Sequence, residues 1–156
     1  MEKHEAMNEI LNDLVKINND RITGYERAIK ESKDLDIDLK AIFEEMIRQS
    51  TTYKEELTKY IQNDGGIAED ETTSSGKIYH AWMDIKSTFT DSDRHSILAA
   101  CEFGEDAAQR AYEAALCSDA LTEAAARKLV EDEQAALKKS HDMIKTARNA
   151  HRVFQK

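Results

Sequence analysis

The residues of this chain best placed to do chemistry are the polar side chains that interrupt its apolar helical stripes. On a wheel of about 100° per residue, Asn18 and Arg21 lie centrally on the apolar face of one predicted helix, and Ser50, flanked by Gln49, does so on a second. Glu105 falls in the middle of the Leu98, Cys101, Tyr112, Leu116 stripe of a third, with Glu102 at its edge. On a fourth, Glu133, Gln134 and His141 share the stripe of Val130, Leu137 and Ile144. Counted outward from the turns, Asn18, Ser50, Glu105 and Glu133 come level near the middle of their helices, which predicts one polar layer in the core. Two chemistries fit such a layer. Glu102, Glu105 and Glu133 could hold a single divalent metal ion or a small ligand. Alternatively, Arg21 neutralises the carboxylates while Asn18, Ser50 and Gln134 close the hydrogen bonds and His141 sits as a bonded core histidine. The second is preferred, because a buried carboxylate demands a partner.

Four amphipathic helices must position these groups. Apolar residues spaced three and four apart predict helices over about 4–32, 38–64, 91–118 and 122–154, with a connection over 65–90. Asp34 to Asp38 supply turn and N-cap chemistry, and Gly65-Gly66 stops the second helix. Within the connection, residues 76–89 read as a short helix carrying Ile78, Tyr79, Trp82, Ile85 and Phe89, and Thr90 with Asp93 resembles a capping box. The short turns make helices one and two, and three and four, antiparallel hairpins. The long connection lets helices two and three run parallel. The expected fold is therefore an all-α four-helix bundle, a single domain with a crossover connection.

Composition agrees and narrows the partners. The 156 residues contain no proline and five glycines, and residues that lose little rotamer freedom in a helix are plentiful. A net charge of −9 with interleaved signs argues against nucleic acid or an anionic membrane as partner. No run approaches the roughly 20 apolar residues of a membrane span, and the first residues show no apolar targeting region, so a cytoplasmic location is expected. Cys101 and Cys117 are sixteen residues apart on one predicted helix, about 24 Å by helical rise, and cannot bridge within one chain. The third helix is apolar on its back as well, through Ala100, Phe103, Ala107, Ala111 and Ala114. Such a helix is covered on both sides. Either the connection with Trp82 and Phe89 covers it or a second copy does, so a homodimer or other protein partner is expected.

Three segments carry a resemblance: Asn18-Asn19-Asp20 with Gly24-Tyr25-Glu26, Ser75-Gly76-Lys77-Ile78-Tyr79-His80-Ala81-Trp82-Met83-Asp84, and Cys101-Glu102-Phe103-Gly104-Glu105-Asp106. Over about residues 8–150 the chain resembles a family of small bacterial four-helix-bundle proteins of unknown function, placed in the ferritin-like superfamily. Kinship there implies stress-associated roles and a mid-bundle level at which two metal ions can bind. A di-iron carboxylate centre needs a Glu from each of two helices and Glu-x-x-His from each of the other two. Here Arg48 stands where one histidine is required, Gln134 where the other is, and Asn18 where a carboxylate is expected. Arginine cannot ligate a cation, because its guanidinium stays protonated. No cofactor is therefore expected beyond, at most, a single divalent ion. The function expected is that of a non-enzymatic bundle acting by self-association or protein contact, the alternative being a degenerate ferritin-like metal- or ligand-binding protein.

Overall fold

A computed structural model describes residues 2–32, 36–68 and 94–154. They form four helices: α1 (Glu2–Glu31), α2 (Ile37–Asn63), α3 (Arg94–Cys117) and α4 (Ala124–Phe154). The expected short helix at 76–89, its Trp82 and the Thr90–Asp93 capping box lie outside the described residues.

Side-chain pairs fix the directions of the helices. Arg21 meets Ser50 on α2 and Glu105 on α3, while Asn18, one turn earlier, meets Tyr112, seven residues beyond Glu105. Asn12 reaches Ile67, at the far end of α2. α1 is thus antiparallel to both α2 and α3, and those two are parallel to each other. Arg94 confirms this from the other end, since its guanidinium lies 3.2 Å from Asp36 and 2.5 Å from Asp38 at the start of α2. The pairs Tyr112–Glu133 and Asp106–His141 make α4 antiparallel to α3. Residues 68 and 94 consequently lie at opposite ends of an all-α four-helix bundle.

The stripes predicted from spacing become one apolar core. Met7, Leu11, Leu14, Tyr25, Leu39, Phe43, Leu57, Ile61, Leu98, Tyr112, Val130, Leu137 and Ile144 are all at most 1 % exposed. Each large aliphatic or aromatic side chain so buried contributes about 1.5–3 kcal/mol of transfer free energy before chain entropy is charged against it.

The helix ends follow local chemistry in one case and depart from it in another. α2 closes in a Schellman motif: Gly65 N–H donates to Gln62 O at 3.1 Å and Gly66 N–H to Ile61 O at 2.9 Å. Gly65 takes a φ of 81°, the left-handed conformation that glycine adopts without a Cβ clash. Gly66 serves packing, because a Cβ there would stand 2.5 Å from the Asn8 amide nitrogen. Asp36 occupies the expected N-cap position of α2 but makes no side-chain cap. Its carboxylate faces Arg94 instead, so an ion pair between helix starts replaces the cap.

Candidate functional site

Arg21 is the centre of the buried polar groups. It lies on the inner face of α1 at 0 % exposure. Nε donates to Glu105 Oε1 at 2.8 Å, one terminal nitrogen donates to Ser50 Oγ at 2.6 Å, and the other touches Met46 Sδ at 3.5 Å. The Tyr25 hydroxyl, one turn further along α1, donates to the same Glu105 oxygen at 2.5 Å. The guanidinium also sits 5.4 Å from the Tyr25 ring centroid, within cation–π range. Three helices thereby surround one buried ion pair.

A second tier begins one turn back on α1. The Asn18 amide donates to Leu14 O and to the Tyr112 hydroxyl, both at 2.8 Å, and Tyr112 donates to Glu133 Oε1 at 2.7 Å. All three side chains are at most 1 % exposed. The expected single layer is therefore two tiers, with Glu105 held by Arg21 and Glu133 reached through Tyr112. Each carboxylate bonds through Oε1 to a different partner and keeps its Oε2 buried without a hydrogen bond.

Electrostatics differ between the tiers. Burial opposes the Arg21 charge, but Glu105 more than offsets it and holds the guanidinium pKa above its ordinary value. Burial, then the Glu105 charge, pushes the Tyr25 phenol and the Cys101 thiol well up, so neither ionises near neutrality. Burial also pushes the Glu133 carboxyl up to about 9, against the lowering effect of Tyr112 and aided by Glu56 on α2. Glu133 accordingly carries its proton at neutral pH, and a protonated carboxyl is a poor cation ligand.

Several predicted members lie elsewhere. Gln134 is not in the core layer: its amide donates to Glu113 Oε2 at 3.0 Å on the exposed α3–α4 edge. His141 is not a core histidine, since it is turned to the α3–α4 flank with Nε2 2.5 Å from Asp106 Oδ1 and Nδ1 3.2 Å from Asp142 Oδ1. Glu102 shares that flank rather than the Glu105–Glu133 core, and its Oε2 lies 2.9 Å from Arg148 Nε. Burial disfavours the charged imidazole of His141, but Asp142 and Asp106 outweigh it and raise the pKa. The hydroxyls of Tyr25 and Tyr112 are buried against carboxylates. Sequence reasoning missed Asp106, although Glu102 and Asp106 stand at i, i+4 on α3 and so share a face. Arg48 pairs with Glu45 at 2.6 Å on the surface, the two being 70 % and 63 % exposed.

One apolar feature remains open. α1 and α3 form a mostly apolar groove of about 370 Å³ lined by Ile10, Leu14, Ile17, Ala111, Ala114 and Ala115, together with the polar Asp13 and Ser118. Phe103, 56 % exposed, continues the same α3 face.

No helix among the described residues is long and apolar enough to cross a membrane. The chain matches no curated protein. A family model matches residues 6–118, which takes in α2, α3 and nearly all of α1 and stops before α4. The chain thus belongs to the DUF2383 family, a domain of unknown function.

Proposed function

We propose that this chain is a non-enzymatic member of the ferritin-like superfamily that works by self-association, as a cytoplasmic homodimer built on the α1–α3 face. The observation that carries the reading is the occupancy of the bundle centre. Arg21 fills the space between α1, α2 and α3 and engages Glu105 and Ser50 there. A cation does not share such a position with a guanidinium. The parallel arrangement of α2 and α3 accords with a ferritin-like topology, and the buried ion pair accords with a bundle that has no di-metal chemistry. Glu102, Glu105 and Glu133 acting jointly on one ion is the weaker reading, because Arg21 and proton retention occupy two of the three and the third lies on the flank.

The face supports contact on physical grounds. Alanines at 111 and 114 allow close helix approach, and the groove beside them is open and apolar except at Asp13 and Ser118. A second copy is the occupant proposed, with close approach over the alanines offsetting the repulsion between two chains of net charge −9. Sedimentation velocity over a concentration series tests this. The expected result is a monomer–dimer equilibrium that Ala114→Glu or Phe103→Ser shifts to monomer without lowering the melting midpoint, since both sites are exposed. A monomer at every concentration, or a dimer indifferent to both substitutions, contradicts it.

A further inference from the structure

We propose that Glu102, Asp106 and His141 form a binding site for one borderline divalent transition-metal ion, such as Zn2+ or Co2+, on the α3–α4 flank. The site is separate from the core layer and independent of the self-association face. Glu102 and Asp106 project from successive turns of α3, and His141 faces them from antiparallel α4. One ligand atom from each lies within 4.8 Å of the other two. Zinc-type ions sit about 2.0–2.2 Å from oxygen and nitrogen ligands, so a small rearrangement, in which His141 and Asp106 part from 2.5 Å and Glu102 closes up, brings all three onto one ion.

Two further observations point to a ligand. Asp142 lies 3.2 Å from Nδ1 of His141, on the ring edge away from Asp106. A carboxylate there accepts a hydrogen bond from the Nδ1 proton, as behind metal-bound histidines, so an ion that binds at Nε2 displaces only the proton lying between Nε2 and Asp106 Oδ1. Second, Glu102 Oε2 is buried and accepts no hydrogen bond, and Arg148 Nε, 2.9 Å away, is likewise buried without a hydrogen-bond partner. The two attract as charges but are not aligned, so Arg148 neutralises Glu102 without satisfying it. An incoming cation takes over that role, and Arg148, 28 % exposed, swings towards solvent.

The donor set selects the ion. One imidazole with two carboxylates suits borderline metals, whereas magnesium and calcium prefer oxygen alone. Three protein ligands also leave room for water or for an anionic ligand on the metal.

Equilibrium dialysis of the tag-free full chain against Co2+, read by elemental analysis and the visible absorption of the bound ion, provides the test. The expected stoichiometry is one ion per chain. His141→Ala and Asp106→Asn should each weaken binding by at least about tenfold, the lower bound set by loss of a mere outer-shell partner. Arg148→Ala should tighten it, because Glu102 is then left without a competing cation. Far-ultraviolet circular dichroism shows that each variant is folded. An absence of saturable binding, binding that survives His141→Ala, or weaker binding in Arg148→Ala each overturns the proposal.

Discussion

The core layer and the α3–α4 flank use the same residue types to opposite ends. In the core, Arg21 and Glu105 are 0 % exposed, aligned, and joined by the Ser50 and Tyr25 hydroxyls. On the flank, Arg148 and Glu102 stand at nearly the same separation, 28 % and 12 % exposed, without an aligned hydrogen bond. A fully buried pair with good geometry is committed to the fold, since separating it leaves a charge in a low dielectric. A half-buried, misaligned pair is held weakly and can be exchanged. Proximity of charges therefore does not distinguish a structural site from an exchangeable one; alignment and burial do.

The largest expected effect lies in the core. Glu105→Ala strands Arg21 in the interior and should destabilise the bundle by about 3–5 kcal/mol, the usual cost of breaking a buried pair from one side. The double substitution Arg21→Met with Glu105→Leu removes both charges and should recover most of that loss in chemical denaturation. Failure of the double variant to recover stability would mean that the pair is more than a mutually neutralising one.

A pH-dependent effect, smaller per pH unit than the loss in Glu105→Ala, is expected at Glu133. Its folded pKa is raised from 4.5 to about 9, so over that range the folded state keeps a proton that the unfolded chain gives up. Stability from this group is greatest at low pH and falls as pH rises towards 9, by up to about 1.4 kcal/mol per pH unit. Glu133→Gln mimics the protonated form and should flatten that decline in melting midpoint between pH 5 and about 9. An unchanged pH profile in the variant would show that Glu133 ionises normally.

The smallest effect is expected on the flank. His141→Ala should change unfolding free energy by less than about 1 kcal/mol, as for partly exposed ion pairs. A loss as large as that of Glu105→Ala would erase the difference between the regions.

Much of the fold was legible because stripes of period 3.6 and the Gly65-Gly66 stop act locally. Asn18, Arg21, Ser50, Glu105 and Glu133 were legible as buried because each sits near the centre of a stripe. What failed were the flanking angles and the axial level. His141 lies eight residues after Glu133, about 80° round the helix at about 100° per residue, enough to turn it from core to flank. Gln134, one residue on from Glu133, turns by the full step. Whether Glu105 meets Glu133 or Arg21 depends on hairpin register, which tertiary packing sets across the two turns and no local spacing encodes. Tyr25 and Tyr112 read as hydrophobic in a periodicity argument, so their role as donors to buried carboxylates appeared only in three dimensions.

The closed core is tested most directly by its response to ferrous iron. Iron is added anaerobically to the full chain, air is admitted, and oxidation is followed by absorbance against a protein-free control. With Arg21 and Glu105 already engaged and Glu133 protonated, no phase of two irons per chain should oxidise faster than the control. A rapid two-iron phase that Glu105→Ala abolishes and His141→Ala leaves intact would contradict the closed core.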